Sequence, residues 1–174
     1  LLSTAYLQDH AVTVRYPRGA GVGVQVQKDL TPLPFGKAQV VREGKDLAIL
    51  CFGPLLYEAL KVAESLNATV VNMRWAKPLD LQTLQELAQS HHRLVTLEDG
   101  TRMGGAGSAV LEALQDMKIS REVLVLGFED EFTEHGDPSV LMQQYGLTAT
   151  GIQKRIDDMW PVAQQATANL RRVV

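Results

Sequence analysis

The chain has 174 residues, 45% hydrophobic and 21% charged, enough to bury a sizeable core and too apolar for a disordered segment. A formal charge of -3 and a pI near 5.8 leave no broad basic field for nucleic acid. No apolar run reaches the roughly 20 residues of a membrane-crossing helix, and no secretion signal opens the chain, so a soluble, cytoplasmic protein is expected.

Residues 1–10 have a helix-like apolar face, Leu1, Leu2, Ala5 and Tyr6, with no cap ahead of it, as though the chain starts inside a domain. Ala11–Tyr16 has the composition of a β-strand and runs into Pro17-Arg18-Gly19, which cannot continue a ladder. Residues 19–36 are rich in Gly and Pro, with Thr31-Pro-Leu-Pro-Phe-Gly36 as the clearest break, and read as a linker between domains. A short strand at Ala38–Arg42, a turn at Glu43-Gly44-Lys45 and a buried strand at Leu47–Phe52 then suggest a hairpin. Cys51 lies inside that apolar strand and is expected to be a buried, reduced thiol.

Pro54 opens a helix in which Leu56, Ala59, Leu60, Ala63 and Leu66 recur at helical spacing. Thr69–Trp75 is the next strand, Lys77–Asp80 a turn, and Leu81–Ser90 a helix that buries Leu84, Leu87 and Ala88. From Leu94 the chain runs strand, glycine loop at Gly104-Gly105-Ala106-Gly107, then helix with Val110, Leu111 and Leu114. Arg121–Phe128 is a last strand, and Pro138–Tyr145 a short helix stopped by Gly146. Thr150-Gly-Ile-Gln153 has the form of a capping box, so a final helix is expected to bury Ile152, Ile156 and Met159. Strand and helix alternate from 47 to 160, the pattern of an α/β fold with a mostly parallel sheet between helices.

Few residues suggest chemistry. Gly105-Ala-Gly107 follows a strand and opens a helix, but a dinucleotide fingerprint needs Gly or Ala at 110, where Val110 stands. Ser108 is flanked by Ala106 and Val110 rather than two glycines, so it is read as a helix cap and not as a nucleophile. Glu131, Glu134, His135 and Asp137 fit a solvated acidic loop better than a metal site, because their spacing matches no ligand set. His91 and His92 sit where a helix C-terminus favours an imidazolium. Arg15 and Arg18 stand apart: two guanidinium groups at a strand end can hold a phosphate, or can form surface ion pairs.

Six stretches in one order carry a resemblance: Arg15-Tyr-Pro-Arg-Gly19, Leu33-Pro-Phe-Gly-Lys37, Met73-Arg-Trp-Ala-Lys-Pro-Leu-Asp80, Val95-Thr-Leu-Glu98, Gly104-Gly-Ala-Gly-Ser108 and His135-Gly-Asp-Pro138. Together they cover about residues 1–156, and the chain resembles the transketolase-like, thiamine diphosphate-dependent enzymes. Asp99-Gly100 and Gly127-Phe-Glu-Asp130 depart from the family pattern. The resemblance implies the end of a pyrimidine-binding domain at 1–24, a linker at 25–36, a transketolase C-terminal domain at 37–160 and a tail at 161–174. The C-terminal domain would be three-layered, with a mixed, mostly parallel sheet.

The resemblance is to the branch of the family that condenses pyruvate with D-glyceraldehyde 3-phosphate and releases CO2, for non-mevalonate isoprenoid, thiamine and pyridoxal biosynthesis. It implies a homodimeric transferase using thiamine diphosphate and Mg2+, held mainly by an N-terminal part of the same enzyme. No catalytic, cofactor-binding or metal-binding residue is carried over to this segment. Arg18, and secondarily Arg15, are carried over as ligands of the substrate phosphate. The segment by itself would be structural, dimer-supporting and inactive. Rival readings are the C-terminal domain of another transketolase or of a 2-oxoacid dehydrogenase β chain, and a stand-alone α/β binding module with its ligand at the 100–107 loop.

Overall fold

The computed structural model describes residues 1–17, 19, 21–25 and 28–161. Arg18 and nearly all of the expected tail, 162–174, lie outside the described residues. The elements are α1 (Leu2–Tyr6), β1 (Gln39–Arg42), β2 (Leu47–Phe52), α2 (Leu56–Val62), β3 (Ala68–Asn72), α3 (Leu81–Ser90), β4 (Arg93–Thr101), α4 (Ala106–Asp116), β5 (Glu122–Phe128), α5 (Pro138–Gln144) and α6 (Ala149–Met159). Five strands form one sheet in the order β1-β3-β2-β4-β5; β2, β3, β4 and β5 pair in parallel, and β1 is antiparallel to β3.

β2 explains the layers. All six of its side chains are buried, and alternate ones go to opposite faces because a strand has a two-residue period. Leu47, Ile49 and Cys51 join α2 and α6 through Ala59, Val62, Ile152 and Ile156. Ala48, Leu50 and Phe52 join α3 and α4 through Leu84, Leu87, Val110 and Leu114. The expected three-layer α/β fold with a mixed, mostly parallel sheet is the fold observed. No helix among the described residues is long and apolar enough to cross a membrane.

Three local expectations fail for physical reasons. β1 and β2 do not form a hairpin, because both sides of β2 are occupied by β3 and β4. The turn at Gly44 instead crosses the start of β3, with Lys45 N–H on Asn67 O at 2.9 Å and Gly44 N–H on Thr69 Oγ1 at 2.9 Å, and delivers β1 to the far edge. A Cβ on Gly44 would lie 2.3 Å from Asn67 O, so that crossing requires glycine.

Ala11–Tyr16 forms no strand. A strand exists only through its ladder, and this segment pairs with none among the described residues. Finally, α6 is capped by Thr148, whose Oγ1 accepts from Gly151 N–H, and not by Thr150. The helix therefore starts two residues early; Ile152 and Ile156 are buried as expected, and the same face continues at i+4 to the buried Trp160, leaving Met159 50% exposed.

Candidate functional site

Parallel sheets bind ligands beyond the C-terminal ends of their strands. Here that rim is built around a bulge in β4. Leu97 pairs with Leu126 and Thr101 with Phe128, so residues 98–100 bulge out against a single intervening residue, Gly127. A Cβ on Gly127 would stand 2.8 Å from Gly100 O, which is why that position has no side chain.

The bulge aims Glu98 at the start of α4. Its Oε2 accepts from Ala106 N–H at 3.0 Å and its Oε1 from Gly107 N–H at 2.8 Å, and the residue is only 7% exposed. Glu98 therefore fills, with the chain's own carboxylate, the place where a helix N-terminus would receive an external anion. Gly105 is required by this arrangement: its Cβ would sit 2.5 Å from Glu98 Oε2 and 2.2 Å from Thr101 O. A Cβ on Gly107 would lie 2.5 Å from Thr96 Oγ1 and 2.8 Å from Val125 Cγ1, so the helix also rests closely on the sheet. Ser108 is not the expected cap; its hydroxyl donates to Arg102 O and accepts from Gly104 N–H, each at 3.0 Å, and staples the loop.

The next residue reaches the N-terminal segment. Arg15 Nη1 donates to Asp99 Oδ1 at 2.6 Å and Nη2 to Asp99 O at 2.9 Å. The Asp99 side chain is 8% exposed and that of Arg15 63%. Of the two expected phosphate ligands, then, Arg15 is engaged by Asp99, and Arg18 is outside the described residues. In the sequence Glu98 stands only as the end of the matched stretch Val95–Glu98, and Asp99 as a departure from the family pattern. The available signal was two adjacent carboxylates at the C-terminal end of a buried strand, followed by glycine.

The remaining candidates have structural partners. Among the described residues no three His, Cys, Asp or Glu side chains gather as a metal would require. Asp137 caps α5 by accepting from Ser139 N–H at 2.8 Å; the Ser139 hydroxyl and amide hold its carboxyl below the usual range. Burial pushes the Cys51 thiol far up, so it stays protonated and unreactive. His91 is buried at the end of α3, with Nε2 2.9 Å from Thr69 Oγ1. The Thr69 hydroxyl also donates to Gly44 O at 3.0 Å and accepts from Gly44 N–H, tying His91 to the turn between β1 and β2.

A protein-family model described as transketolase, C-terminal domain, matches residues 36–152. The chain belongs to the transketolase C-terminal domain family. It is 60% identical over 158 residues to a 1-deoxy-D-xylulose-5-phosphate synthase of Acidovorax ebreus, covering 91% of this chain and 25% of the relative. A protein of the same name from a Polaromonas species is 58% identical over 156 residues, covering 90% of this chain and 25% of the relative. The chain thus spans about a quarter of the length of these relatives. Among solved structures it resembles a chain titled split gene transketolase, inactive beta4 tetramer, with a TM-score of 0.67, 34% identity, and coverage of 74% of this chain and 44% of that one.

In this transketolase C-terminal domain most of the matched stretches build structure. Asp80, at the end of Met73–Asp80, caps α3 through Thr83 N–H at 3.2 Å and accepts from Ala38 N–H at 2.9 Å. Trp75 packs on Phe35 of the 33–37 stretch, ring centroids 4.7 Å apart, and Phe35 meets His10 edge-on.

Proposed function

We propose that this chain is the C-terminal quarter of a 1-deoxy-D-xylulose-5-phosphate synthase, an enzyme that condenses pyruvate with D-glyceraldehyde 3-phosphate and releases CO2. The observation that carries this reading is the 60% identity, over 91% of the chain, to a protein of that name. Thiamine diphosphate and Mg2+ are the cofactors of such an enzyme. The described residues fit neither: no metal-ligating cluster is present among them, and Glu98 occupies the anion position of the glycine loop. In this reading cofactor binding and the chemistry at the cofactor are assigned to the N-terminal part of the same enzyme, within a cytoplasmic homodimer.

This segment contributes a rigid base and the cationic stretch Arg15–Arg18 ahead of it. Arg18 binds the phosphate of D-glyceraldehyde 3-phosphate, because a planar guanidinium donates two parallel hydrogen bonds to phosphate oxygens and so orients as well as holds the acceptor. In Arg18→Ala, kcat/KM for D-glyceraldehyde 3-phosphate falls by about 2 kcal/mol, roughly thirtyfold. An unchanged value in steady-state kinetics removes Arg18 from the site.

The function itself is tested by giving the complete enzyme pyruvate and D-glyceraldehyde 3-phosphate and measuring CO2 and 1-deoxy-D-xylulose 5-phosphate. The likeness to a split gene transketolase supports a second reading, a C-terminal domain serving sugar-phosphate ketol transfer. Turnover of a ketose phosphate donor with an aldose phosphate acceptor, and none with pyruvate, selects that alternative.

A further inference from the structure

Both cores of the sheet close without the N-terminal segment. Among the described residues, the buried core side chains on its two faces run from Leu47 to Trp160, and none comes from residues 1–46. The stretch just ahead of β1 is fastened to this body: Phe35 packs on Trp75 with ring centroids 4.7 Å apart, and Ala38 N–H donates to the buried Asp80 at 2.9 Å. Gly36, at φ +68, lies so close over Pro78 that a Cβ would stand 3.0 Å from its Cγ.

Residues 1–17 meet this body in three separate places. Leu33 N–H donates to Thr4 Oγ1 at 2.8 Å, and Thr4 is 2% exposed, so water does not compete for the bond. His10 meets Phe35 edge to face, with centroids 6.1 Å apart. Arg15 donates to both the side chain and the backbone carbonyl of Asp99, at 2.6 and 2.9 Å. Each contact joins a residue ahead of the Gly- and Pro-rich stretch to one in or beyond its far end, and none passes through the peptide between them.

A linker holds two facing surfaces at a high effective concentration, on the order of millimolar for a short flexible one, so contacts of modest strength stay made while it is whole. Once the linker is divided, the same contacts must hold the surfaces by their own affinity. Dividing it therefore measures the contacts directly.

We propose that segment 1–17 and the C-terminal domain form a docking seam of three contacts, Thr4 with Leu33, His10 with Phe35 and Arg15 with Asp99, that holds them together without the peptide joining them. The partner that this face of the domain fits is the N-terminal part of the same enzyme, brought to it by residues 1–17. The inference rests on the reading that the chain is the C-terminal quarter of a larger enzyme.

The experiment uses the complete enzyme with a short protease recognition sequence inserted between the exposed residues Gly23 and Val24. The enzyme is made whole and then cut; a second version is produced as two polypeptides divided at the same bond, so that a site resistant to the protease does not decide the result. Gel filtration over a dilution series and the condensation of pyruvate with D-glyceraldehyde 3-phosphate are both measured. The two pieces co-elute at about micromolar concentration, and kcat/KM stays within about threefold of the whole enzyme. Thr4→Val and Phe35→Ala then test the seam itself. Each leaves the whole enzyme within about twofold, because the linker keeps the faces together, and raises at least about tenfold the concentration at which the divided enzyme falls apart.

Pieces that separate at these concentrations overturn the proposal, as does a divided enzyme that both variants leave equally tight. Variants that damage the whole and the divided enzyme alike show a merely structural role and also overturn it. So does a C-terminal piece that unfolds after division, since its core is built from its own residues. Failure of the underlying reading is seen separately, in a whole enzyme that does not condense the two substrates; co-elution needs no substrate and tests the seam in either case.

Discussion

Asp80 illustrates how a residue in a matched stretch earns its place by folding alone. Its carboxylate, 3% exposed, accepts from Thr83 N–H, Thr83 Oγ1 and Ala38 N–H and faces Lys37 Nζ at 3.5 Å, tying the segment before β1 to the start of α3. Burial alone would raise its pKa, but the hydrogen bonds from Ala38 and Thr83 and the Lys37 charge outweigh burial and hold it below the ordinary 3.8. A depressed carboxyl pKa stabilises the fold fully above the unfolded value, and that contribution is lost as pH falls through the folded one. Asp80→Asn should therefore cost about 2 kcal/mol at pH 7. In urea unfolding the gap from wild type stays constant down to about pH 5 and closes below about pH 4. A gap that widens in acid would mean that the carboxylate is not the stabilising form.

Among the elements, legibility followed locality. β2 and α3 are where the sequence placed them, Leu47–Phe52 and Leu81–Ser90, because an all-apolar strand and an Asp-capped helical repeat are signals contained within each segment. The β1 edge position was hidden, since the choice between pairing with β2 or β3 depends on which flank of β2 is already filled. The α6 cap was hidden for a similar reason: Thr148 and Thr150 are equivalent by type, and what distinguishes them is tertiary. Glu58 Oε2, from α2, accepts Ala149 N–H at 2.7 Å and fixes the first turn there. The same packing reverses a rule of propensity at Gly151. Glycine inside a helix ordinarily costs about 1 kcal/mol relative to alanine. A Cβ at 151, however, would stand 2.5 Å from Gly146 O and 2.6 Å from Gly146 C, both backbone atoms that cannot rotate away. Gly151→Ala should lower the melting temperature, and a rise would show that the 146–148 loop yields.

For the whole molecule, the candidate site divides along the same line. The glycine loop invited an anion from outside, yet the anion it holds is Glu98, eight residues before Ala106 in the chain and brought over it by the β4 bulge. No sequence pattern announces that a strand carboxylate will fold back on the next helix, whereas the Arg15–Arg18 pair was visible as two cations at a backbone break. The described residues bear on what the chain does in isolation. Its most suitable helix N-terminus is neutralised internally, and its described acids do not converge on a metal position. Diphosphate binding through Mg2+ needs both an amide or cationic cradle and carboxylate or amide oxygens on the metal. Titration calorimetry of this chain with thiamine diphosphate and Mg2+ should consequently give no saturable heat, while the complete enzyme binds the cofactor and turns over. Mixing the chain with pyruvate, D-glyceraldehyde 3-phosphate, cofactor and metal should likewise release no CO2. Tight binding by the chain alone would mean that residues outside the described set assemble a cofactor site, and would return the cofactor chemistry to this domain.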